Sequence, residues 1–324
     1  MSFSSEVKTE LLKNVSGARH CRIAELAGML SMSAEVWYRN GVFFRLCITT
    51  EKSIIAKTFA KLIKLLFDIN PECAVKCTGE NSRLYRLVID DTGQIERIFV
   101  TLKLSVDEDT LKQPGIIKIK CQDMNIDRLV VQQQCCKRAF LKGVFVTSGS
   151  VNDPHKGYHL EIVCDNNDRA VFIANVMSDL DIDSRIISRK KYSVCYIKDG
   201  TVIVDMLNIM GAHISLMNME NVRILKDISN NINRRVNCEA ANINKTVNAA
   251  VRQIQDINYV IERKGISYFP ENLRELAEVR LEEPDASLKE LGEKMNPPIG
   301  KSGVNHRLRK ISEIAENLRQ TSYM

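Results

Sequence analysis

The sequence predicts an α+β protein in which a duplicated α-β-β-α-β-β-α domain is followed by an all-α helix-turn-helix domain. Three observations lead to this prediction: an internal repeat spaced by about 115 residues, the loss of strand patterns near residue 215, and a capped helix pair with a basic helix near the C-terminus. Because 324 residues allow about two domains, we expect domains at 1–215 (halves about 1–110 and 120–215) and 269–324, joined by linker helices over 216–268.

The composition is that of an ordinary globular protein. The chain carries 46 Lys+Arg against 40 Asp+Glu, a net charge of +6, with 44% hydrophobic and 27% charged residues. These values exclude a disordered chain, a collagen-like fibre and a coiled-coil rod. No apolar stretch approaches the length of a membrane-spanning helix, and Glu6, Lys8 and Glu10 interrupt the region where a signal peptide needs an apolar core. Scattered cysteines without a C-x-x-C pair indicate reduced thiols in the cytoplasm.

The two halves of the repeat begin with related helices. Residues 20–33 align with residues 135–148, and the alignment pairs Cys21 with Cys136, Gly28 with Gly143, and Ser33 with Ser148. A glycine turn then leads into a strand with alternating apolar side chains, the period of a sheet face. The rest of each half is predicted as an amphipathic helix (51–67 or 168–180), two strands (74–77 and 84–90, or 184–188 and 192–198) and a closing helix (94–104 or 201–211).

The segment between the two predicted domains is helical and rich in asparagine. Apolar residues at helical spacing predict one helix over 219–236 and a second over 239–263. Because asparagine disfavours helix interiors, we interpret the segment as a solvated hairpin of linker helices. The alternative is a polar surface, with Arg234 and Arg235, that contacts phosphates or another domain.

The C-terminal region begins with start and stop signals for two helices. Pro270 suits the first position of a helix that runs to Pro284. Ser287 and Glu290 form a capping box at the start of the next helix. The segment Asn296-Pro297-Pro298 ends this second helix, because proline cannot continue it.

A third helix follows a long turn. The segment MNPPIGKSG exceeds the three or four residues of a standard helix-turn-helix turn. Ser302 is predicted to cap this helix, which runs from about Gly303 to Leu318. Its buried stripe is predicted from the apolar residues at helical spacing, Val304, Leu308, Ile311, Ala315 and Leu318.

Charge is polarised along this region. Residues 271–293 contain eight acids and three bases, a net of −5, whereas residues 299–311 contain four bases and no acid, a net of +4. A helix that enters the major groove needs long donors for phosphates and Asn or Arg side chains for base edges. We therefore expect double-stranded DNA to bind a helix-turn-helix at about 275–310, through Lys301, Ser302, Asn305, His306, Arg307, Arg309 and Lys310.

The first helix of each half resembles the LAGLIDADG helix of homing endonucleases. The resemblance rests on residues 26–33, LAGMLSMS, and on a poorer copy at residues 141–148, LKGVFVTS. It implies that the two helices pack at the centre of a pseudo-twofold fold, where Gly28 and Gly143 let the backbones approach each other.

The same resemblance implies a metal-binding acid at the foot of each helix, but Ser33 and Ser148 occupy these positions. A hydroxyl carries no charge, and hard cations prefer carboxylate oxygens, so both are lost metal-ligand positions. Glu35 and Asp153 lie close to these two positions in the sequence. Each is displaced from the motif position by several residues, so we expect its side chain to point away from the former metal site. We expect no catalytic residue, no metal and no cofactor; the alternative is an active metal-dependent LAGLIDADG-type endonuclease.

The whole chain resembles the WhiA family of bacterial transcription regulators. Its residues 287–311 are similar to the helix-turn-helix of sigma-factor region four. A degenerate duplicated LAGLIDADG domain followed by such a helix-turn-helix is the architecture of the WhiA family. The segments SFSSEVKTEL, NRRVNCEAANINKT and GKSGVNHRLRKI also resemble it. The resemblance implies a non-enzymatic, sequence-specific regulator that binds promoter DNA in the cytoplasm, in association with the nucleoid. It also implies a role in cell division, chromosome segregation and, in spore formers, sporulation.

One metal site can be drawn from the sequence but is disfavoured. It would combine Cys135 and Cys136 with His155, His159 and Cys164. The repeat alignment, however, places Cys136 opposite Cys21 in a packed helix, and His159 and Cys164 fall on opposite faces of one strand. Because free cysteines are commonly buried as small hydrophobes, we expect ordinary thiols.

The outer face of the predicted sheets is expected to bind protein. Strand alternation places outward Phe43, Arg45, Cys47, Arg86 and Val88 in one half and His159, Glu161, Val163, Ser193, Cys195 and Ile197 in the other. This set is more apolar than basic, unlike a groove that tracks phosphates. We expect the face to dock the protein's own C-terminal module or another transcription protein; a scaffold with residual DNA contacts is the alternative.

Overall fold

Two hydrophobic cores divide the chain into two units. The computed structural model describes residues 2–77 and 83–321, so the predicted domain limits at residues 1 and 324 lie outside the described residues. One unit extends to Lys226 and the other begins at Asp227. Each unit has its own cluster of buried apolar side chains.

The first half of the N-terminal unit follows the predicted order of elements. After a leading helix α1 (Phe3–Lys13), it contains α2 (Arg19–Ser33), β1 (Ala34–Arg39), β2 (Val42–Thr50), α3 (Ser53–Phe67), β3 (Glu72–Cys77), β4 (Arg83–Ile89) and α4 (Thr92–Leu102). Four short elements connect it to the second half: β5 (Leu104–Val106), α5 (Glu108–Leu111), β6 (Ile117–Lys120) and β7 (Met124–Ile126).

The second half repeats this order, which confirms the duplicated α+β fold. It contains α6 (Gln134–Ser148), β8 (Gly149–Val151), β9 (Leu160–Cys164), α7 (Asn167–Ser178), β10 (Arg185–Arg189), β11 (Tyr192–Ile197) and α8 (Gly200–Met210). The strands form antiparallel sheets in the orders β3-β4-β2-β1-β6 and β10-β11-β9-β8, and β5 pairs with β7.

Two glycines let α2 and α6 pack in close backbone contact. A Cβ atom on Gly28 would lie 2.4 Å from the Phe140 carbonyl oxygen, and one on Gly143 would lie 2.1 Å from the Glu25 carbonyl oxygen. Both distances are far inside van der Waals contact, so only glycine fits at either position. The predicted role of Gly28 and Gly143 is therefore confirmed.

Three residues of β11 lie on the opposite sheet face from the one predicted. Ser193, Cys195 and Ile197 each pair with a core-facing residue of β9, so they face the core rather than the outside. Because residues 193–195 are all buried, this strand has no polar alternation that could indicate its outer face.

Phe43 also lies on the core side, because β2 carries an extra residue. The pairing of β1 with β2 shifts after Trp37 and leaves Phe44 without a cross-strand partner. Phe43 consequently turns inward and stacks on Phe99, with ring centroids 4.8 Å apart. The alternation assumed from the sequence does not hold across such a bulge.

The predicted hairpin of linker helices is wrong, because a single 52-residue helix, α9 (His213–Lys264), occupies this segment. The sequence contains neither glycine nor proline between residues 213 and 264, and each asparagine costs a helix less than about 1 kcal/mol. The helix ends at Gly265, whose φ of +79° belongs to the left-handed region that glycine adopts without strain.

The C-terminal unit contains three further helices that pack on the end of α9. These are α10 (Glu271–Glu282), α11 (Leu288–Glu293) and α12 (Lys301–Thr321), and their core includes Ile257 and Val260 of α9. Pro270 precedes α10 as its N-cap rather than forming its first residue.

The predicted capping box is confirmed. The Glu290 amide donates to Ser287 Oγ at 3.3 Å, and the Ser287 amide donates to Glu290 Oε2 at 2.7 Å. Ser302, in contrast, does not cap α12, because this helix begins one residue earlier, at Lys301. The apolar stripe of α12 is buried at Val304, Leu308, Ile311 and Ala315, and half-buried at Leu318.

Candidate nucleic-acid interface

The residues predicted to contact DNA lie together in the first three turns of α12. The buried stripe of this helix contains Val304 and Leu308, so the opposite side faces solvent. The exposed members of the predicted set are Lys301, Ser302, His306, Arg309 and Lys310, and the half-buried members are Asn305 and Arg307. We call this set the basic face of α12.

Three cations of the basic face are free to bind an anion. In the part of the chain that the structure describes, Lys301, Arg309 and Lys310 form no ion pair with a carboxylate. Arg307 differs, because its Nη1 donates to the Asn272 carbonyl oxygen of α10 at 3.2 Å. Arg307 therefore also holds α12 against α10.

The turn before α12 is long, as predicted, and its residue Ile299 packs against Gly292 of α11. Residues 294–300 connect α11 to α12, and the Ile299 amide donates to the Gly292 carbonyl oxygen at 2.9 Å. A Cβ atom on Gly292 would lie 2.1 Å from the Ile299 carbonyl oxygen. This close approach fixes the turn on α11 and so fixes the start of α12.

The long helix α9 contributes basic and polar side chains beyond those predicted from the sequence to bind DNA. A cleft of about 480 Å³ lies between α9 and the starts of α11 and α12, and Lys245, Lys289 and Lys301 line it. Thr246 and Asn305 add polar groups to the same cleft. The alternative interpretation of the Asn-rich segment as a phosphate-contacting surface named Arg234 and Arg235, and neither of these arginines lines the cleft.

A buried arginine holds this arrangement together. Arg280 is only 2% exposed. Its Nε and Nη2 donate to Gln253 Oε1 of α9 at 3.0 and 2.8 Å, and its Nη1 donates to the Ala286 carbonyl oxygen at 2.6 Å. One guanidinium thus connects α9, α10 and the loop before α11.

The two lost metal-ligand positions lie at the feet of α2 and α6, and their hydroxyls bond to their own helices. Ser33 Oγ donates to the Met29 carbonyl oxygen at 2.8 Å, and Ser148 Oγ donates to the Val144 carbonyl oxygen at 3.2 Å. The acids close to them in sequence are also engaged. Glu35 forms an ion pair with Lys118 at 2.7 Å, and Asp153 accepts from the His155 amide at 2.9 Å.

A cleft of about 650 Å³ lies beside Ser33 and contains charges of both signs. Glu35 and Asp165 line it together with Lys120 and Lys191. Asp165 accepts a hydrogen bond from the Cys121 thiol at 3.1 Å, and burial raises the pKa of that thiol to about 12. The thiol therefore stays protonated. The positive charges of Lys120 and Lys191 reduce the attraction of this cleft for a divalent cation.

The corrected outer face of the five-stranded sheet is basic. Cross-strand register and strand alternation place six bases on it, Arg39, Arg45, Lys76, Arg86, Lys118 and Lys120, against two acids, Glu35 and Glu72. Arg45 is held by Asp90 at 2.6 Å, which lowers the pKa of that carboxyl through the hydrogen bond. The excess of positive charge differs from the largely apolar face expected from the sequence.

The metal site drawn from the sequence is not assembled. His159 Nε2 lies 3.2 Å from Glu161 Oε2, and Cys164 is fully buried in the sheet core. Within the described residues, none of His155, His159 and Cys164 belongs to a potential metal-binding group with Cys135 and Cys136. Among those residues, no helix is long and apolar enough to cross a membrane.

Three family models match consecutive segments of the chain. They describe the WhiA N-terminal LAGLIDADG-like domain at residues 19–105, the WhiA LAGLIDADG-like domain at residues 137–229 and the WhiA C-terminal HTH domain at residues 232–315. The last match includes the Asn-rich part of α9 as well as the basic face of α12.

Similar proteins extend over the full length. A protein of Lachnoclostridium phytofermentans named "Probable cell division protein WhiA" is 47% identical over 322 residues, or 99% of this chain and 100% of its own. A Clostridium botulinum protein of the same name is 41% identical over 326 residues, or 99% of each chain. The crystal structure of full-length DUF199/WhiA from T. maritima matches with a TM-score of 0.58 and 25% identity, covering 98% of this chain and 99% of that one.

Proposed function

The chain belongs to the WhiA family, and on this basis we propose that it is a sequence-specific transcription regulator that binds promoter DNA and is not an enzyme. The observation that carries the proposal is the row of cations on the exposed side of α12, of which Lys301, Arg309 and Lys310 form no ion pair with any residue that the structure describes. Because the relatives are named cell division proteins, we propose genes of cell division as targets, together with the chromosome segregation and sporulation genes that the family resemblance implies. A cytoplasmic, nucleoid-associated location follows from this proposal.

Genome-wide mapping of bound sites in the native organism tests the proposed targets. We expect the bound sites to concentrate in promoter regions and to share a sequence, since a base-edge donor such as Asn305 discriminates between base pairs. The same strain with Arg309→Ala and Lys310→Ala is the control and should lose this enrichment. Equal occupancy across the genome would contradict sequence-specific regulation.

We propose that the LAGLIDADG-like domain is a scaffold or interaction domain without nuclease activity. The serine hydroxyls at both former metal positions bond to helix carbonyls, and the remaining acids are paired or hydrogen-bonded. A hydrolytic metal centre would need carboxylates free to bind a hard cation.

A cleavage assay distinguishes this proposal from the endonuclease alternative. We expect the full-length protein with Mg²⁺ to leave supercoiled plasmid intact under conditions where a gel-shift assay shows that it binds. Glu35→Gln, which removes a carboxylate from the cleft beside Ser33, should give the same result. Nicking that EDTA abolishes and that Glu35→Gln reduces would establish the endonuclease instead.

The positive charge on the outer face of the five-stranded sheet favours a different binding partner from the protein expected from the sequence. Three residues of the expected protein-docking face, Phe43, Cys195 and Ile197, face the core instead. With Lys76 and Lys120 outward, supplementary contact with DNA phosphates accounts better for the charge of the five-stranded sheet. Docking of the C-terminal unit or of another transcription protein remains the proposal for the four-stranded sheet.

A further inference from the structure

Four potential metal ligands meet where the first turns of α2 and α6 come together. His20 and Cys21 lie at the start of α2, and Cys135 and Cys136 lie at the start of α6. One ligand atom from each residue contributes to a group in which all four atoms lie within 4.8 Å of one another. We call these residues the Cys₃His cluster.

The distances within the cluster approach those of a tetrahedral zinc site. His20 Nδ1 lies 3.2 Å from Cys136 Sγ, 3.4 Å from Cys21 Sγ and 3.9 Å from Cys135 Sγ. A tetrahedron with Zn–S bonds of about 2.3 Å and a Zn–N bond of about 2.0 Å has edges of roughly 3.5–3.8 Å. Three sulfurs and one imidazole nitrogen are a common ligand set for structural zinc, and soft thiolates select Zn²⁺ over Mg²⁺ or Ca²⁺.

The internal symmetry of the domain places the cluster between the two halves. In the repeat alignment His20 corresponds to Cys135 and Cys21 corresponds to Cys136, so each half contributes the same two positions. Cys21 and Cys136 are buried, whereas His20 and Cys135 are exposed. The cluster is therefore open on one side for an ion to enter and enclosed on the other.

We propose that His20, Cys21, Cys135 and Cys136 bind one structural Zn²⁺ ion that joins the two halves of the LAGLIDADG-like domain. The proposal departs from the sequence expectation of no metal. The ligands are two adjacent pairs 115 positions apart in the chain (20 to 135), and this spacing matches none of the usual local zinc patterns. Only the packing of α2 on α6 brings the pairs together.

Metal binding by the full-length chain tests the proposal directly. The reduced protein is stripped with a chelator and titrated with Zn²⁺, and bound zinc is measured after desalting; we expect one ion per chain. Cys135→Ser and His20→Ala change exposed residues, so these variants should fold. Each should weaken zinc binding by more than the roughly 10- to 100-fold lost when only a hydrogen-bond partner of a ligand is removed. Cys238→Ser, at an exposed cysteine outside the cluster, should bind zinc as the native chain does.

Two further measurements identify the site and its structural role. Co²⁺ in place of Zn²⁺ should show the absorption of tetrahedral thiolate coordination, reduced in Cys135→Ser. Fluorescence of Trp37, the single tryptophan, reports unfolding of the N-terminal unit, and Zn²⁺ should raise the midpoint of this transition in the native chain but not in Cys135→Ser.

Three results would overturn the proposal. The first is a native chain that retains no zinc above the level of the variants. The second is a Co²⁺ spectrum without thiolate coordination. The third is a disulfide between the two cysteine pairs in freshly purified, unreduced protein that contains no metal, since this would assign the cluster to redox chemistry.

Discussion

Glu25→Ala is expected to destabilise the N-terminal unit by about 3–5 kcal/mol, because it leaves a buried lysine without its counter-charge. Glu25 and Lys142 join the two central helices through an ion pair of 2.9 Å, and their side chains are 1% and 9% exposed. Glu25 Oε2 also accepts from the Ser16 amide at 3.1 Å and from Ser16 Oγ at 2.7 Å. The substitution therefore leaves the buried Lys142 ammonium without a counter-charge, with only the Asn14 carbonyl oxygen as its remaining acceptor among the described contacts, and it removes the acceptor of the partly buried Ser16 amide.

Urea unfolding followed by Trp37 fluorescence measures this effect in the full-length chain. Trp37 is the only tryptophan and lies in β1, so its signal reports the N-terminal unit. Asp179→Ala is a matched control, because it breaks the ion pair of Lys137, on the same helix as Lys142, at a site where Asp179 is 56% exposed. We expect that control to cost less than about 1 kcal/mol.

The double variant Glu25→Leu/Lys142→Met separates the charge effect from loss of packing. Replacing both partners of a buried pair with apolar side chains of similar volume is often close to neutral. The double variant should therefore recover most of the stability lost in Glu25→Ala. A Glu25→Ala midpoint no lower than that of Asp179→Ala would show that the pair is not important for the stability of the domain.

The parts of the fold that depend on local pattern could be predicted from the sequence. The order of elements in both halves follows from apolar periodicity, and the start of α11 follows from the Ser287–Glu290 capping box. The α12 stripe was predicted for the same reason, since Val304 and Leu308 recur at helical spacing. The predicted basic residues consequently lie on the solvent side of one helix.

The features that could not be predicted depend on long-range contacts or on the absence of a local signal. Nothing in β11 indicates which way Cys195 faces, because Ser193 and Val194, which lie on opposite faces of the strand, are both buried as well. No residue of α9 ends the helix before Gly265, although the asparagines suggested a break. The Cys₃His cluster needs the packing of α2 on α6, which Gly28 and Gly143 permit but whose exact register no local pattern specifies.

The double variant Arg309→Ala/Lys310→Ala is expected to bind DNA about 30- to 10⁴-fold more weakly than the native chain, if each contact contributes about 1–3 kcal/mol. Both side chains are exposed and form no ion pair among the described residues. Their loss therefore removes binding groups without disturbing the core of the C-terminal unit. Arg307→Ala is a less selective variant, because Arg307 also holds α10.

Arg263→Ala/Lys264→Ala provides a control with the same change in net charge. These residues end α9, beyond Asp256, which contacts Ser312 and Arg319 in the C-terminal half of α12. They consequently lie toward the end of the C-terminal unit that is remote from the basic face. We expect this control to retain nearly native affinity at moderate salt, where long-range electrostatic effects are screened.

The dependence of DNA affinity on salt tests the role of the basic face most directly. Binding of the full-length chain to a mixed-sequence duplex is measured over a series of salt concentrations, and the slope of log K against log salt is compared among the native chain and the two double variants. If Arg309 and Lys310 each neutralise a phosphate, the slope of their variant falls by about two, while the slope of the Arg263/Lys264 control stays native. An unchanged affinity and slope for Arg309→Ala/Lys310→Ala would contradict the account and place the DNA interface elsewhere on the protein.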